Sequence, residues 1–205
     1  MKLHVGCGTK KLPGWINIDA VKECKPDLVH DLSQPLPYVD LAADELLASG
    51  VLEHFDKYMR YCVFGDWARV LKVGGVIDIG VPDLAKILSR RFFKKFFCFD
   101  DYVDTFFGEN MWENQIYIGY FGNHKWGYSK ASLTAFAKQF GIEPIKVETK
   151  GLSLNFKGRK ARHVTAEEMD KWTIHSHNNK FGAHGADLPF SVVKQKIKEF
   201  QKQTQ

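Results

Sequence analysis

The residues best suited to chemistry in this sequence follow short apolar segments near the N-terminus. Gly6, Cys7 and Gly8 come directly after the run Lys2–Val5, and Asp19 closes the run 15–18. Glycines at the end of a strand let a ligand approach the backbone closely, and a carboxylate there can accept hydrogen bonds from both hydroxyls of a ribose. These residues therefore predict a site for a cofactor that contains a nucleoside.

The spacing argues against two common nucleotide ligands. In the dinucleotide-binding pattern G-x-G-x-x-G the third glycine would fall at position 11, which is Lys11. The sequence also lacks the G-x-x-x-x-G-K-[ST] loop that holds a nucleoside triphosphate. Taken alone, the Gly-Cys-Gly run could equally be a tight structural turn.

A second group of reactive side chains is Glu53, His54 and His124. An unperturbed imidazole titrates near physiological pH, so His54 suits a general base, although Glu53 and His54 could instead orient their loop. His124 precedes the last predicted helix of the first 150 residues. It could contact or deprotonate an acceptor, or it could hydrogen-bond within its own loop.

Short strands that alternate with crossover connections must position these side chains. Strands are predicted at 2–5, 15–18, 27–30, 45–49, 76–81 and 142–149. Residues 55–71 place apolar side chains at helical spacing, and Gly74-Gly75 is expected to end that helix. Ser129 is a suitable N-cap for a helix that stops at Gly141. The pattern predicts an α/β fold with a mostly parallel sheet covered on its faces.

An ordered series of motifs resembles the class I S-adenosylmethionine-dependent methyltransferases, and is most similar to their small-molecule (methyltransferase type 11-like) branch. The series covers residues 2–83 and contains Leu3-His4-Val5-Gly6-Cys7-Gly8, Gly14-Trp15-Ile16-Asn17-Ile18-Asp19, Asp31-Leu32-Ser33, Ser49-Gly50-Val51-Leu52-Glu53-His54 and Val81-Pro82-Asp83. The resemblance implies a Rossmann-like α/β sheet of about seven mostly parallel strands. It also implies S-adenosylmethionine as cofactor and methyl transfer to oxygen or nitrogen of a small-molecule or saccharide-like acceptor.

The resemblance further implies which residues serve the cofactor. The glycine turn after the first strand borders the methionine part, and the two residues that end the fourth strand face the amino group and the sulfonium. Asp19 holds the ribose hydroxyls, and Asp31 with the Leu32 amide reads the adenine edge. The implied cofactor residues are Gly6, Cys7, Gly8, Asp19, Asp31, Leu32, Ser49 and Gly50, and the catalytic candidates are Glu53, His54 and His124.

The sequence departs from the family at the first crossover. Only residues 9–14 separate Gly8 from Trp15, which is too few for the helix that usually joins two parallel strands. The helix N-terminus that would favour the methionine carboxylate is then missing. We therefore expect Lys10 or Lys11 to supply compensating positive charge.

The chain is predicted to form a methyltransferase domain over 1–150 and a basic extension over 151–205. Residues 84–123 are rich in Phe, Tyr and Trp and are expected to be a helical insertion after the fifth strand, either a lid over an acceptor pocket or helices that cover the core. The extension has 10 Lys+Arg against 5 Asp+Glu and so carries the whole net charge of +5. Within it, only 192–200 has helical spacing.

Two other functions stay open at this stage. A nucleic-acid methyltransferase could grip phosphate with the basic extension, but no Asn-Pro-Pro-aromatic motif and no catalytic cysteine pair is present. A non-catalytic binding or scaffold protein could retain the fold, and the short first crossover favours this alternative.

The remaining signals concern metals, membranes and cell compartment. His175, His177 and His184 lack acidic or cysteine partners at ligand spacing, so no metal site is predicted. The aromatic stretch with Arg90-Arg91 could lie on a membrane surface, but a buried helical face explains it as well. No apolar run spans a bilayer and no secretion signal is present, so a cytoplasmic protein is expected, of unknown oligomeric state.

Overall fold

The computed structural model describes residues 1–89, 122–165 and residue 168. Its strands are β1 (Lys2–Val5), β2 (Ile16–Asp19), β3 (Leu28–Val29), β4 (Ala43–Ser49), β5 (Leu71–Pro82), β6 (Ile142–Lys150) and β7 (Ser153–Lys160). They form one seven-stranded sheet in the order β3-β2-β1-β4-β5-β7-β6. β1 to β5 are parallel, whereas β7 runs antiparallel to both β5 and β6. The predicted α/β fold with a mostly parallel sheet is confirmed.

Three α-helices are described: α1 (Met59–Val70), α2 (Leu84–Ile87) and α3 (Lys130–Gln139). α1 begins later than the spacing predicted, because Oδ1 of Asp56 accepts the amides of Tyr58 and Met59 in a turn before the helix. Ser129 caps α3 as expected, and its side chain and that of Ser132 each accept the other residue's amide.

The glycine pair 74–75 was expected to end the first helix, and this expectation was wrong. α1 ends at Val70 and β5 starts at once at Leu71. The buried Lys160 amine donates to the carbonyl oxygens of Ala68 (2.6 Å) and Leu71 (2.8 Å), and so satisfies groups that the helix leaves unpaired. The glycines instead form an irregularity in β5, between the pairs Ala43–Leu71 and Glu45–Val76.

No strand was predicted beyond Gly151, and the presence of β7 corrects this prediction. Its side chains alternate, with Leu154, Phe156 and Lys160 buried and the polar residues between them half-buried or exposed. A buried lysine and Gly158 on the inner face hid this alternation in the sequence. The first residues of the predicted basic extension therefore belong to the sheet. The predicted helix 192–200 and residues 90–121 of the predicted insertion lie outside the described residues.

The half of the sheet that contains β1, β2 and β3 is connected by loops. Up to residue 42 the chain forms one 3₁₀ turn, Lys22–Cys24, and no α-helix. The prediction that the first crossover is too short for a helix is thus confirmed. Leu32 and Leu36, from the loop between β3 and β4, are buried in the core instead.

Side chains from α1 fix that loop in place. Arg69 donates to the carbonyl oxygens of Leu36 and Tyr38 and pairs with the carboxylates of Asp40 and Asp66. Asp66, which is buried, also accepts the Leu36 amide at 2.7 Å. These hydrogen bonds and ion pairs therefore attach the loop to the core, where no helix is present to do so.

The core lies between the sheet and the helices α1 and α3. Phe64 and Trp67 of α1 pack with Phe136 of α3 and with Phe140, which follows it, against the buried strand residues. None of the described helices combines the length and the apolar character that crossing a bilayer requires.

Candidate active site

The turn after β1 brings backbone rather than side chains to the carboxyl edge of the sheet. Gly6 and Gly8 both have positive φ, 64° and 52°. A Cβ on Gly6 would lie 2.3 Å from a methyl carbon of Val51, so the chain approaches too closely there for any side chain. Cys7 is buried, and burial raises the pKa of its thiol to about 12, which disfavours the thiolate.

Asp19 connects the turn to the end of β2. Its carboxylate accepts the Gly8 amide at 2.7 Å through Oδ2 and the Val21 amide at 2.9 Å through Oδ1, and the residue is 6% exposed. Each carboxylate oxygen can accept a further hydrogen bond. The structure thus places Asp19 beside Gly8, as predicted, and adds a role in shaping the turn itself.

The loop between β1 and β2 is organised by Asn17, a residue that the sequence analysis missed. Its buried side chain bonds the amide and carbonyl of Leu12, the carbonyl of Trp15 and the carboxylate of Asp27. An amide side chain between two isoleucines of a strand is unusual, and this was the available signal. In the absence of a helix, Asn17 supplies the partners that the backbone of the loop requires.

The two lysines of this loop differ in their surroundings. The Lys11 amine donates to the carbonyl of Lys25 at 2.9 Å, which directs it toward the turn after β2. Lys10 is exposed next to the glycine turn, and its amide donates to the carbonyl of Cys7 at 3.0 Å. Of the two candidates for compensating charge, Lys10 therefore remains the better placed.

Asp31 and Leu32 lie beyond β3, on the next loop at the same edge. Oδ1 of Asp31 accepts the Ser33 amide at 2.8 Å, and the Asp31 carbonyl accepts the Gln34 amide, so the residue stabilises a turn. Asp31 is exposed, whereas Leu32 is buried. The second oxygen of the exposed Asp31 carboxylate faces the solvent.

Ser49 and Gly50, at the end of β4, are both exposed. Gly50 has a φ of 70° and its amide donates to the carbonyl of Gly80 at 2.8 Å. A Cβ on Gly80 would lie 2.8 Å from the Ser49 hydroxyl, so the neighbouring strand carries no side chain at this point. The end of β4 is therefore open at the centre of the sheet edge.

Glu53, His54 and His124 meet next to this opening. Glu53 and His54 belong to the 3₁₀ turn Leu52–His54, and the Glu53 carbonyl accepts the amides of Lys125 (2.7 Å) and Trp126 (3.0 Å). These bonds hold the His124 loop against the turn. Nε2 of His124 lies 4.0 Å from Oε1 of Glu53, and the two imidazole rings are 4.8 Å apart.

The two residues of the turn have strongly altered pKa values. Burial raises the pKa of the Glu53 carboxyl to about 8. Burial and the adjacent His124 lower the pKa of the His54 imidazole to about 4. Since a carbonyl oxygen can only accept, the 3.1 Å contact between His54 Nδ1 and the carbonyl of Asn123 fixes the proton on Nδ1. A backbone hydrogen bond to Gly50 also involves the His54 ring.

A buried arginine lies near this group, and it was also not identified from the sequence. The Arg60 guanidinium, 9% exposed, sits 4.3 Å from the Trp126 ring, 4.6 Å from Phe136 and 4.8 Å from Tyr61. Aromatic faces attract cations, so this arrangement holds the 122–128 loop to the start of α1. Arg60 lies among the apolar positions of α1, and only its charge distinguished it in the sequence.

Comparison with solved structures gives several matches of the same kind. No protein-family model matches the sequence, and no curated protein is significantly similar to it. A Clostridium acetobutylicum S-adenosylmethionine-dependent methyltransferase matches with a TM-score of 0.54 at 12% identity, over 78% of this chain and 84% of that one. A Thermotoga maritima S-adenosylmethionine-dependent methyltransferase matches with a TM-score of 0.51 at 16% identity, over 78% and 81%.

A third match was determined with ligands. It is the 1,6-didemethyltoxoflavin-N1-methyltransferase of Burkholderia thailandensis, bound to 1,6-didemethyltoxoflavin and S-adenosylhomocysteine. Its TM-score is 0.52 at 13% identity, over 78% of this chain and 71% of that one. The chain has the Rossmann-like fold of class I methyltransferases.

The methyltransferase fold explains why the predicted residues converge. β1, β2, β3 and β4 are parallel and adjacent, so the residues that follow them reach the same edge of the sheet. The hydrogen bond from Gly8 to Asp19 joins the first two of these positions directly. Glu53, His54 and His124 form a compact group at the central part of that edge.

Proposed function

We propose that the protein binds S-adenosylmethionine and transfers its methyl group to oxygen or nitrogen of a small-molecule or saccharide-like acceptor. One observation carries the proposal: the glycine turn, tied to a buried carboxylate at Asp19, lies at the same sheet edge as the open end of β4. This pairing occurs in a methyltransferase fold, and one matched structure contains S-adenosylhomocysteine.

The proposed cofactor contacts follow the positions along the edge. Gly6, Cys7 and Gly8 offer backbone to the methionine part, and at Gly6 an added Cβ would lie 2.3 Å from Val51. The remaining lone pairs of Asp19 accept from the ribose hydroxyls, and Asp31 with the Leu32 amide contacts adenine. Ser49 and Gly50 face the amino group and sulfonium, and Lys10 offers positive charge to the carboxylate.

The proposed catalytic group is Glu53, His54 and His124. The bound cofactor supplies a methyl group already activated by positive sulfur, so the protein mainly has to position the acceptor and help to remove its proton. The three side chains are polar, largely shielded from water and adjacent to the open end of β4. They are therefore suited to hold an acceptor at the cofactor's reactive end.

Calorimetric titration with S-adenosylmethionine and S-adenosylhomocysteine tests the cofactor site. We expect one equivalent of each to bind, and Asp19→Asn to weaken binding at least about tenfold, because hydrogen bonds to a charged acceptor contribute about 1.5–3 kcal/mol. Asp44→Asn is the matched control, since Asp44 lies near the start of β4, at the opposite edge, and pairs with Lys72. Wild-type protein that binds neither compound contradicts the proposal.

Methyl transfer is tested next with labelled S-adenosylmethionine and a panel of sugars, phenols and amines. Label found in nucleic acid, with binding that weakens steeply with salt, would favour the nucleic-acid alternative instead. Tight cofactor binding without transfer to any acceptor class would favour a scaffold protein, the alternative that the short first crossover supports.

A further inference from the structure

Glu53, His54 and His124 form the one group of metal-ligating side chains found among the described residues. Each offers one ligand atom, and these atoms all lie within 4.8 Å of one another. We propose that the three side chains bind a single divalent transition-metal ion at the acceptor side of the cleft. The three residues were predicted as catalytic candidates and not as metal ligands, and His124 is far from the other two along the chain.

The state of Glu53 carries the proposal. The residue is 2% exposed, and its Oε2 accepts no hydrogen bond from any described residue, while Oε1 lies 4.0 Å from Nε2 of His124. A buried carboxylate oxygen without a donor is unfavourable, and a cation is one partner that removes this penalty. Oε2, the oxygen without a donor, thus belongs to a carboxylate that lies next to two imidazole rings.

The histidines are arranged as metal ligands usually are. Nδ1–H of His54 donates to the carbonyl of Asn123, which orients the ring, as the second ring nitrogen of a metal-ligating histidine usually does. Two amide bonds to the Glu53 carbonyl hold the loop that carries His124. Ligand atoms around a tetrahedral ion lie roughly 3.3 Å apart, given metal–ligand lengths of about 2.0–2.2 Å. Side-chain rotations that bring the atoms closer by up to about 1.5 Å therefore complete the site.

The ligand set selects the class of metal. Two imidazoles and one carboxylate suit Zn²⁺, Co²⁺ or Fe²⁺, whereas Mg²⁺ and Ca²⁺ prefer oxygen ligands. Three protein ligands leave a coordination position open, as in catalytic zinc sites. The consequence for catalysis rests on the proposed function: an acceptor hydroxyl at the open position loses its proton to water more readily, and its oxygen then attacks the methyl carbon as the carbon–sulfur bond breaks.

Metal binding is tested on the full chain after treatment with a chelator, by titration with Co²⁺ followed by visible absorption and by competition with Zn²⁺. We expect one equivalent to bind with the spectrum of a low-coordinate Co²⁺ site. Glu53→Gln, which is nearly isosteric, and His124→Gln should each weaken binding at least about tenfold. S-Adenosylhomocysteine affinity is measured on the same samples.

Two control variants separate this site from other histidines. His30→Gln changes a half-buried histidine whose side chain hydrogen-bonds the Gln34 carbonyl, away from the proposed site, and it should bind metal as the wild type does. A variant with His175, His177 and His184 all changed to Ala removes the C-terminal histidines and should also retain the site.

The outcomes distinguish this inference from the proposed function. Wild-type protein that binds no Co²⁺, or that binds it as tightly as Glu53→Gln and His124→Gln do, overturns the metal site while leaving the cofactor titration to stand. Binding that is lost only with the C-terminal histidines overturns it as well. Metal binding without affinity for S-adenosylhomocysteine supports the site and contradicts the proposed cofactor.

Discussion

At the scale of single residues, the sheet edge depends on positions where a side chain would not fit. Gly6 combines a φ of 64° with the close approach of Val51, whereas Gly14, in the following loop, has a φ of 78° and nothing within 4 Å of an added Cβ. The two glycines therefore separate backbone strain from steric crowding. This difference can be measured.

We expect Gly6→Ala to destabilise the protein by about 2–5 kcal/mol, because the left-handed backbone and overpacking contribute about 1–2 and 1–3 kcal/mol. Gly14→Ala should lose only the first contribution. Urea unfolding of both variants measures the difference. Gly6→Ala combined with Val51→Ala should regain part of the loss, and equal losses for the two single variants would show that Val51 does not crowd Gly6.

At the scale of elements, the first crossover is a loop in place of a helix, and side-chain hydrogen bonds stabilise its backbone. The buried Asn17 side chain bonds both backbone groups of Leu12 and the carbonyl of Trp15, and it anchors to Asp27. Buried polar groups left without partners are unfavourable by about 1–3 kcal/mol each. The shape of the loop beside the glycine turn therefore depends on one amide side chain.

Asn17→Ala should accordingly lower the free energy of unfolding by about 2–4 kcal/mol, since it removes several buried hydrogen bonds together. It should also speed hydrogen exchange of the Leu12 amide relative to amides of α3. Lys11→Met, which removes an exposed contact with the Lys25 carbonyl and leaves the Asn17 hydrogen bonds in place, is the control and should change neither quantity noticeably. Unchanged exchange at Leu12 in the Asn17 variant would contradict this account.

Most elements of this fold could be predicted because their signals are local. Strands such as β1 and β4 are apolar runs that end in glycine or polar residues, and Ser129 is a common N-cap for α3. β7 could not be predicted, because its inner face includes Gly158 and a lysine whose amine is satisfied by distant carbonyls. Such long-range compensation leaves no trace in the neighbouring sequence.

The candidate site likewise has a part that could be predicted from the sequence and a part that could not. The ends of β1, β2 and β4 could be placed together from the strand pattern, so Gly8, Asp19 and Gly50 were expected at one edge. The contact between Glu53 and His124 was not predictable, because it depends on two hydrogen bonds to the Glu53 carbonyl from a loop more than sixty positions away. Their assigned roles stay predictions until binding is measured.

At the scale of the whole molecule, Lys160 connects the last described strand to the end of α1. Burial lowers the pKa of its amine to about 8. A neutral amine is compatible with the contacts, because it has two N–H donors for the Ala68 and Leu71 carbonyls and a lone pair for a protonated Nδ1 of His163, 3.1 Å away. The folded state therefore binds this proton more weakly than the unfolded chain, whose lysine has its ordinary value near 10.5.

The stability of the wild type should then rise relative to Lys160→Met between about pH 8 and pH 10.5, because in that range the unfolded state binds a proton that the folded state has released. Below pH 8 both states are protonated and the difference should be constant. Urea unfolding of both proteins at pH 7 and pH 10 measures the effect. A difference between the two proteins that is independent of pH would mean that the lysine is charged in the fold.

The short loop between β1 and β2 also bears on the order in which the molecule folds. Leu3 pairs with Ile16 and Ile18 with Leu28, whereas Ile77 of β5 pairs with Gly158 of β7. Parallel pairing usually has to wait for a long loop to close, but here the first three strands close short ones. Asn17→Ala should therefore slow refolding, and Lys160→Met should mainly speed unfolding, in stopped-flow experiments. The edge formed by Gly8 and Asp19 would then be complete before β7 closes the sheet, so a nascent chain could assemble that edge early in its synthesis.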